Sequence, residues 1–563
     1  MNTQALDRLE QIKKKNLDNP NWINKDLYRL LYKEDIYIFA YENIKSNKDI
    51  LTRGSSTDTL DGFSIKRIQS IIKLMRQNKY EFKPARKMYI PKPGKKTLRP
   101  LGISNSNGHL YIYIEDKVVQ EVIRMILEVI YEPRFSSRSH GFRSGKSCHT
   151  ALREVEQKFD RIKWLIEGDM DIKSAYDTVD HGILLNLLRK TINDERFILL
   201  IKRALTAGYT EQALRPRTSI IGIGTPQGSI ILPILFNIYL TPFDDFIETL
   251  QKKYENVEKV IQTTTIYNSN ATSIAQVKKI IDSCKESKTR NNLEKRILLS
   301  MKRKREKLIP ICIRYIRYGD EWVVGVNGPR SVAKKMKQEI AEFLKQKLHY
   351  SLKTKITYLK EDIGLFLGYE LRIHSMIKYT KIRNKFGVYF TKRSTCHFIK
   401  LDAPIPKLIA RLCLKGFCNG KGKPLSKRAW TTMEDREIVR MYNHIMNDLF
   451  SYYSGADNQR KLIRIQYILQ HSCACTLAHR HKSSVRKIYK KHGQDFQVKY
   501  TVETNKGPEE KLITLNLRKF NKTNKRWLGN KKSFKDPFQT YNYRPQGQKS
   551  RNFVKQKERN PSL

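Results

Sequence analysis

Trp164-Leu-Ile-Glu-Gly-Asp-Met-Asp-Ile-Lys-Ser-Ala-Tyr-Asp177 puts acids where a β-strand usually puts apolar residues. With a period of two, Ile166, Met170 and Ile172 point one way, and Glu167, Asp169 and Asp171 the other. Like charges along one strand face repel unless a cation lies among them. A second stretch complements the first. Ile311-Cys-Ile-Arg-Tyr-Ile-Arg-Tyr-Gly-Asp-Glu-Trp-Val-Val-Gly-Val326 reads as strand, two-residue turn, strand, with Gly319 and Asp320 in the turn. Asp320 and Glu321 then project from a hairpin tip flanked by buried strands. Hard oxygen ligands from two strands suit Mg²⁺, which takes one or two carboxylates plus substrate phosphates. Two such ions about 4 Å apart can activate a 3′-hydroxyl and stabilise a departing pyrophosphate. A lone acidic turn is ordinarily a solvated loop; two acidic segments in a strongly basic chain shift the balance towards chemistry.

The chain has 563 residues, with 109 Lys+Arg against 55 Asp+Glu and a net charge of +54. That charge calls for a polyanionic partner, nucleic acid first and an anionic membrane second. A hydrophobic share of 39% argues against wholesale disorder, and the length suits three or four domains. The longest apolar run, Ile230 to Leu240, is broken by Pro233 and Asn237 and is too short to span a bilayer. Met1 to Lys15 carries Asp7 and Glu10 and no apolar core, so neither a signal peptide nor a transit peptide is expected. The Lys/Asn/Ile-heavy text looks like translation of an AT-rich genome and suggests synthesis inside an organelle. Eight cysteines without a CxxC argue against a disulfide framework or zinc ribbon.

Working outward, residues 1 to 80 read as mostly helical, with Leu27, Leu30, Leu31, Ile36 and Phe39 apolar, a polar loop at 53 to 62 and an amphipathic helix from Phe63 to Met75. Met88 to Ile103 reads as a basic-edged hairpin and Val118 to Ile130 as a helix. Gln251 to Lys307 is lysine-rich and reads as a largely helical surface insertion. From Asp402 to Gly493 the period is helical again: Met441, Ile445 and Leu449 in one stretch, Leu462, Ile465 and Leu469 in another. Residues 499 to 563 carry 17 Lys/Arg against 5 Asp/Glu, with Trp527, Phe534, Phe538, Tyr541 and Tyr543 interleaved. Phosphate neutralisation plus base stacking would suit such a tail, and a merely solubilising tail is the plainer alternative.

From Met88 to Gly493 the sequence resembles the reverse transcriptase/maturase proteins encoded within group II introns. The matching text is Arg99-Pro-Leu-Gly-Ile103, Glu132-Pro-Arg-Phe135, Gly141-Phe-Arg143, Glu167-Gly-Asp169 with Asp171-Ile-Lys-Ser-Ala-Tyr-Asp177, and Gly224-Thr-Pro-Gln-Gly228. It continues with Arg317-Tyr-Gly-Asp320, Lys353-Thr-Lys-Ile-Thr357 and Phe366-Leu-Gly-Tyr369. Tyr452-Tyr-Ser-Gly-Ala-Asp-Asn458 and Ser472-Cys-Ala-Cys-Thr-Leu-Ala478 are similar to the maturase "domain X". One such motif is weak; their order across some 400 residues is specific.

The resemblance implies an α+β right-hand polymerase: an RNA-binding helical extension (1–80), fingers and palm (81–380), thumb with domain X (381–495) and a basic tail (496–563). It implies Mg²⁺, replaceable by Mn²⁺, held by Asp171, Asp320 and Glu321, with Asp169 as the rival to Asp171. Tyr176 would gate against a ribose 2′-OH. Gln227 and Gly228 would flank the incoming nucleotide, and Lys92 and Arg99 would clamp its triphosphate. Lys353 or Lys355 would protonate pyrophosphate, unless they are ordinary surface lysines. Lys421, Lys423, Lys427, Arg428, Arg480 and Lys482 would bind RNA. The implied partners are the host group II intron RNA and, for a mobile element, a DNA primer or target; the implied home is an organelle, the mitochondrion before the plastid. Many members end in a zinc-bearing HNH nuclease; residues 494 to 563 hold no Cys or His, so none is expected there.

One departure matters. The turn reads Tyr318-Gly-Asp-Glu321, where active members carry two adjacent aspartates. Glu keeps the charge but adds a methylene, and Mg²⁺ demands near-ideal geometry. Slow DNA synthesis and its loss both remain open, as does a retron- or viral-type polymerase, against which the domain X text argues. Gly141-Phe-Arg-Ser-Gly-Lys-Ser147 is one residue short of a P-loop. His471, His479 and His481 near Cys473 and Cys475 scatter around a helix rather than closing a tetrahedron.

Overall fold

A computed structural model describes residues 4–45, 63–83, 85–91, 98–103, 110–169, 179–207, 209–210, 229–257, 259–267, 302–350, 353–383, 389–504 and 507–520. The helices are α1 (Gln4–Asp18), α2 (Glu34–Lys45), α3 (Ile65–Arg76), α4 (Leu110–Tyr131), α5 (Cys148–Lys158), α6 (His181–Arg189), α7 (Glu195–Thr206), α8 (Leu232–Val257), α9 (Arg330–Leu348), α10 (Ile405–Leu414), α11 (Asp435–Tyr452), α12 (Ile463–Arg480) and α13 (Val485–His492). The strands are β1 (Ala85–Pro91), β2 (Leu98–Ile103), β3 (Trp164–Asp169), β4 (Tyr209–Thr210), β5 (Lys259–Tyr267), β6 (Lys302–Pro310), β7 (Cys312–Tyr318), β8 (Glu321–Asn327), β9 (Lys353–Tyr358), β10 (Gly364–Phe366), β11 (Tyr369–Arg383), β12 (Tyr389–Asp402), β13 (Val498–Thr504) and β14 (Gly507–Ile513). The class is α+β, as expected.

A four-stranded antiparallel sheet in the order β7-β8-β3-β9 organises the molecule. Both faces of the sheet are covered, and its central strand β8 is buried from Trp322 to Val326. Ile166, Tyr315, Trp322 and Val324 enter one core with the N-terminal helices, α4 and α6 to α9. Leu165, Ile316 and Val323 enter a second core with α5, the base of β11–β12 and the C-terminal helices. Gly168 is required here: a Cβ on it would lie 2.1 Å from the Trp322 ring, which covers the strand at that point. Beside this sheet β1 pairs antiparallel with β2, as the hairpin reading of Met88 to Ile103 anticipates.

Three readings need correction. Gln251–Lys307 is helical to Val257, and β5 and β6 then pair antiparallel from Lys259↔Pro310 to Tyr267↔Lys302, so the described part of the insertion is not largely helical. The run Val260-Ile-Gln-Thr-Thr-Thr-Ile266 explains this, since β-branched residues lose rotamer freedom in a helix and pack well on a pleat. Residues 268 to 301 lie outside the described residues. A boundary at 380 falls within β11, which pairs with β12 in one long hairpin.

The basic tail does not begin loose at 496. Phe496, Val498 and Leu515 are buried in the second core, and β13 pairs with β14. The Asn443 amide brackets Thr514 O (2.7 Å) and Asn516 N (2.7 Å), and Gln466 does the same for Arg518 O (3.3 Å) and N (3.0 Å). These side chains act as strand partners for residues 514 to 518 and bind them across α11 and α12. Residues 521 to 563, with the aromatic part of the tail, lie outside the described residues. Among the described residues no helix is long and apolar enough to cross a membrane.

Candidate active site

The β7–β8 turn stands on a buried polar network. Gly319 adopts φ +63°, a left-handed conformation that glycine accepts freely. Below it the Arg317 guanidinium is fully buried. Its Nε and Nη2 donate to the Asp244 carboxylate (2.8 and 2.7 Å), and its Nη1 donates to Asn237 Oδ1 (3.1 Å) and to the Gly319 carbonyl (3.0 Å). Tyr315 also donates to Asp244 (2.6 Å), and Asn237 donates to Gly141 O (2.8 Å). Burial disfavours the charge on Arg317, but Asp244 outweighs it and raises the guanidinium above its ordinary pKa. Arg317 therefore holds the carbonyl of the residue immediately before Asp320.

Gly141 closes the same turn from the side. A Cβ there would lie 2.3 Å from Gly319 N and 2.9 Å from its Cα, and backbone cannot swing away as a side-chain tip can. Gly141→Ala is expected to displace the turn and lower any turnover at Asp320 about 100-fold, the cost of roughly 1 Å of misplacement; single-turnover kinetics at saturating substrate would measure it. The P-loop-like run starting at Gly141 thus serves packing, and its Ser147 N-caps α5 through Thr150 N.

The first acidic segment lies beside this turn. β3 pairs with β8 so that Asp169 sits opposite Glu321, and with β9 so that Asp169 sits opposite Lys353. Opposed Cα atoms in such ladders are about 4.5–5.5 Å apart and share a face. Glu167, two residues back, accepts from Thr357 Oγ1 (2.6 Å), and burial raises its pKa. It is a satisfied structural acid, whereas Asp169 is exposed and Asp320 half-buried. Lys355, exposed, sits opposite Glu167. Arg99 pairs with Ile90 in the β1–β2 ladder. Asp171, Tyr176, Lys92, Gln227 and Gly228 lie outside the described residues.

Glu321 makes a contact that the sequence did not reveal. Its Oε2 accepts from Leu367 N (2.9 Å), within the turn of the Phe366-Leu-Gly-Tyr369 motif, where Leu367 and Gly368 both take positive φ. The other side of that turn rests on α11. Tyr452 Oη donates to Leu367 O (2.7 Å), Tyr453 Oη to Gly368 O (3.4 Å), and Tyr369 Oη to Tyr452 O (2.5 Å). Asp457 accepts from Leu401 N (2.8 Å), and Asn458 exchanges two hydrogen bonds with Ala403 (2.8 and 3.0 Å). The Tyr452–Asn458 motif thus joins the C-terminal helices to the sheet hairpins. No local signal marks this joint in the sequence, because every partner is 46 to 85 residues away.

The donor set at the turn is all carboxylate, which suits a hard cation. Among the described residues no three His, Cys, Asp or Glu converge as a metal centre, and Asp171 lies outside them. The expected RNA contacts divide. Lys421, Lys423, Arg428 and Lys482 are exposed. Lys427 Nζ donates to Lys415 O (2.5 Å) and lies over the Phe417 ring, 5.4 Å from its centroid. Arg480 is ion-paired with Asp435 (2.9 Å) and donates to Thr431 O (3.2 Å), so it braces α12 against α11. Of the histidines, His481 pairs with Asp435 (2.7 Å), His471 with Tyr489 (3.1 Å) and His479 with Ser426 (2.9 Å), while Cys473 is buried.

A mixed fold that brings an acidic strand end beside an acidic hairpin turn suits metal-assisted chemistry on phosphates, and the comparisons with known proteins give the family. The family described as reverse transcriptase (RNA-dependent DNA polymerase) matches residues 90–371, and that described as type II intron maturase matches residues 396–545. The chain is 32% identical over 517 residues to the group II intron-encoded protein LtrA of Lactococcus lactis subsp. cremoris, covering 88% of this chain and 82% of that one. It is 34% identical over 522 residues to an uncharacterized 91 kDa protein in a cob intron of Schizosaccharomyces pombe, covering 91% of this chain and 61% of that one. It is 32% identical over 507 residues to the putative COX1/OXI3 intron 1 protein of Saccharomyces cerevisiae, covering 88% and 58%. The chain belongs to the group II intron-encoded reverse transcriptase/maturase family.

Proposed function

We propose that this chain is a group II intron maturase that binds its host intron RNA and assists splicing, and that it also copies RNA into DNA slowly. In this reading the four-stranded sheet is the palm, β1–β2 belongs to the fingers, and the C-terminal helices form thumb and domain X. The supporting observation is the β3–β8 register, which brings the end of the first acidic strand beside the Gly319–Asp320 turn. RNA is held by the N-terminal helices, the fingers and the exposed Lys421, Lys423, Arg428 and Lys482. Binding stabilises the ribozyme's active fold by mass action, without the protein catalysing transesterification itself.

Mg²⁺, or Mn²⁺ in its place, would supply Lewis-acid stabilisation of the transferring phosphate when bound by Asp171 and Asp320. Lys92 and Arg99 orient the triphosphate, Tyr176 excludes a 2′-OH, Gln227 and Gly228 line the nucleotide's bed, and Lys353 or Lys355 donates a proton to the leaving group. The relatives named for cob and COX1/OXI3 introns support an organellar, mitochondrial home. Splicing of the host intron across a Mg²⁺ series tests the reading. Purified protein should lower the Mg²⁺ requirement, and an unchanged requirement contradicts it.

A second reading, a splicing cofactor whose polymerase is vestigial, draws on the Leu367 contact, because Glu321 is already engaged in a structural joint. Glu321→Asp separates the two. Shortening the side chain releases the Leu367 amide, at about 1–3 kcal/mol for an unmade buried hydrogen bond, and restores the paired aspartates of active relatives. We expect primer extension on an RNA template to rise about 10- to 100-fold while thermal stability falls. Glu321→Gln, which keeps an acceptor oxygen, should hold stability. No extension from either variant or the parent, at any Mg²⁺ or Mn²⁺ level, favours the cofactor reading.

A further inference from the structure

The β11–β12 hairpin is rooted in the second core at its base. Its ladder runs from Glu370↔Asp402 to Arg383↔Tyr389, fourteen pairs, about 45 Å at strand rise. One face carries the pairs Leu371–Leu401, Ile373–Ile399, Ser375–His397, Ile377–Thr395, Tyr379–Arg393 and Lys381–Thr391, with Tyr389 at its outer end. The inner end of that face belongs to the second core: Leu371, Ile399 and Leu401 are at most 1% exposed. Its outer end leaves the core, with Ile377 44%, Tyr379 65% and Tyr389 69% exposed. Lys381 and Arg393 are exposed among them.

Composition sharpens this. Residues 371 to 401 contain eight Lys/Arg and no Asp or Glu, the two acids Glu370 and Asp402 lying at the anchored base. A two-stranded ribbon is marginal in water without a partner, and large exposed aromatics carry a solvation cost that a purely solvated arm would avoid. Aromatic faces interleaved with cations, and free of acid, match a polyanion whose flat groups are available for stacking. That describes a single strand: in an A-form duplex the bases are stacked on each other and the deep groove is closed to side chains.

We propose that the outer half of this hairpin is an RNA-docking arm that takes an unpaired segment of the host intron, with bases against Tyr379 and Tyr389 and phosphates against Lys381 and Arg393. The identity of the RNA rests on the maturase reading; the preference for an unpaired strand rests on the hairpin. The test uses the full chain with two probes, a 20-nucleotide unstructured RNA and a duplex RNA of the same length. The wild type should prefer the single strand. Tyr379→Ala with Tyr389→Ala should bind it about ten-fold more weakly. Lys381→Glu with Arg393→Glu should reduce the slope of log affinity against log salt by about 1.4, two phosphate contacts. A melting curve on each variant is the control: an unmoved transition shows that lost binding is not lost fold. Variants that bind both probes like the wild type overturn the arm, as does displacement by poly-glutamate at equal charge, which would mark an acidic protein partner. If the single strand is lost in the variants while wild type fails to assist splicing, the arm stands and the maturase reading falls. Intact splicing with variants equal to wild type gives the reverse.

Discussion

Asp244→Ala should open the β7–β8 hairpin by about 3–5 kcal/mol, the usual cost of stranding one partner of a buried ion pair. The side chains of Arg317 and Asp244 are 0% and 1% exposed, so water cannot take over the lost bonds. Removing the carboxylate also leaves Tyr315 Oη without its acceptor. Hydrogen exchange of the β7 and β8 amides measures the effect at the hairpin itself. A double variant, Arg317→Met with Asp244→Leu, should recover most of the stability, since apolar pairs of similar volume often replace buried ion pairs without loss. It should not recover turnover, because the Gly319 carbonyl has lost its donor. Exchange in Asp244→Ala that matches the wild type would show that the network is not what holds the turn.

Asp320→Ala should abolish DNA synthesis, by at least about 1000-fold or ~4 kcal/mol of barrier, while leaving intron binding within about two-fold. Asp320 sits at the tip of the turn, half-buried, and none of the network beneath it uses its carboxylate. The Arg317 bonds to Asp244, Asn237 and the Gly319 carbonyl therefore survive the substitution. Primer extension and intron binding on the same preparation check both halves. Residual synthesis near the wild-type rate would remove Asp320 from the catalytic set.

Much of the fold was legible because it is local. The alternation in Trp164–Asp169 and the Gly319-Asp320 turn set strands, faces and turn within a few residues. What escaped was long-range. The sequence names Glu321 as half of an acidic pair, but its bond to Leu367 depends on a turn 46 residues away. Arg317 looks like one more cation in a basic chain, although Asp244, 73 residues upstream, makes it a buried brace. The motif at Tyr452–Asn458 is recognisable as text, yet its side chains turn inward to fasten hairpins rather than outward to RNA. At its described edges the insertion differs for another reason: a lysine-rich stretch between two strand-patterned regions suggested helix, and in β5 the β-branched run Val260–Ile266 prevailed. The hairpin arm was hidden because an apolar-cationic alternation reads alike whether its apolar face is covered or not.

Iron-directed cleavage tests the central claim most directly. With Fe²⁺ in place of Mg²⁺ and a peroxide source, the backbone is cut only close to the bound ion, whatever the turnover. Two clusters of cuts, one at Asp169–Asp171 and one at Gly319–Glu321, both suppressed by excess Mg²⁺ and absent in Asp320→Ala, are the predicted result. Cuts at one segment without the other, or none at either, would contradict a shared metal site between the two acidic strands.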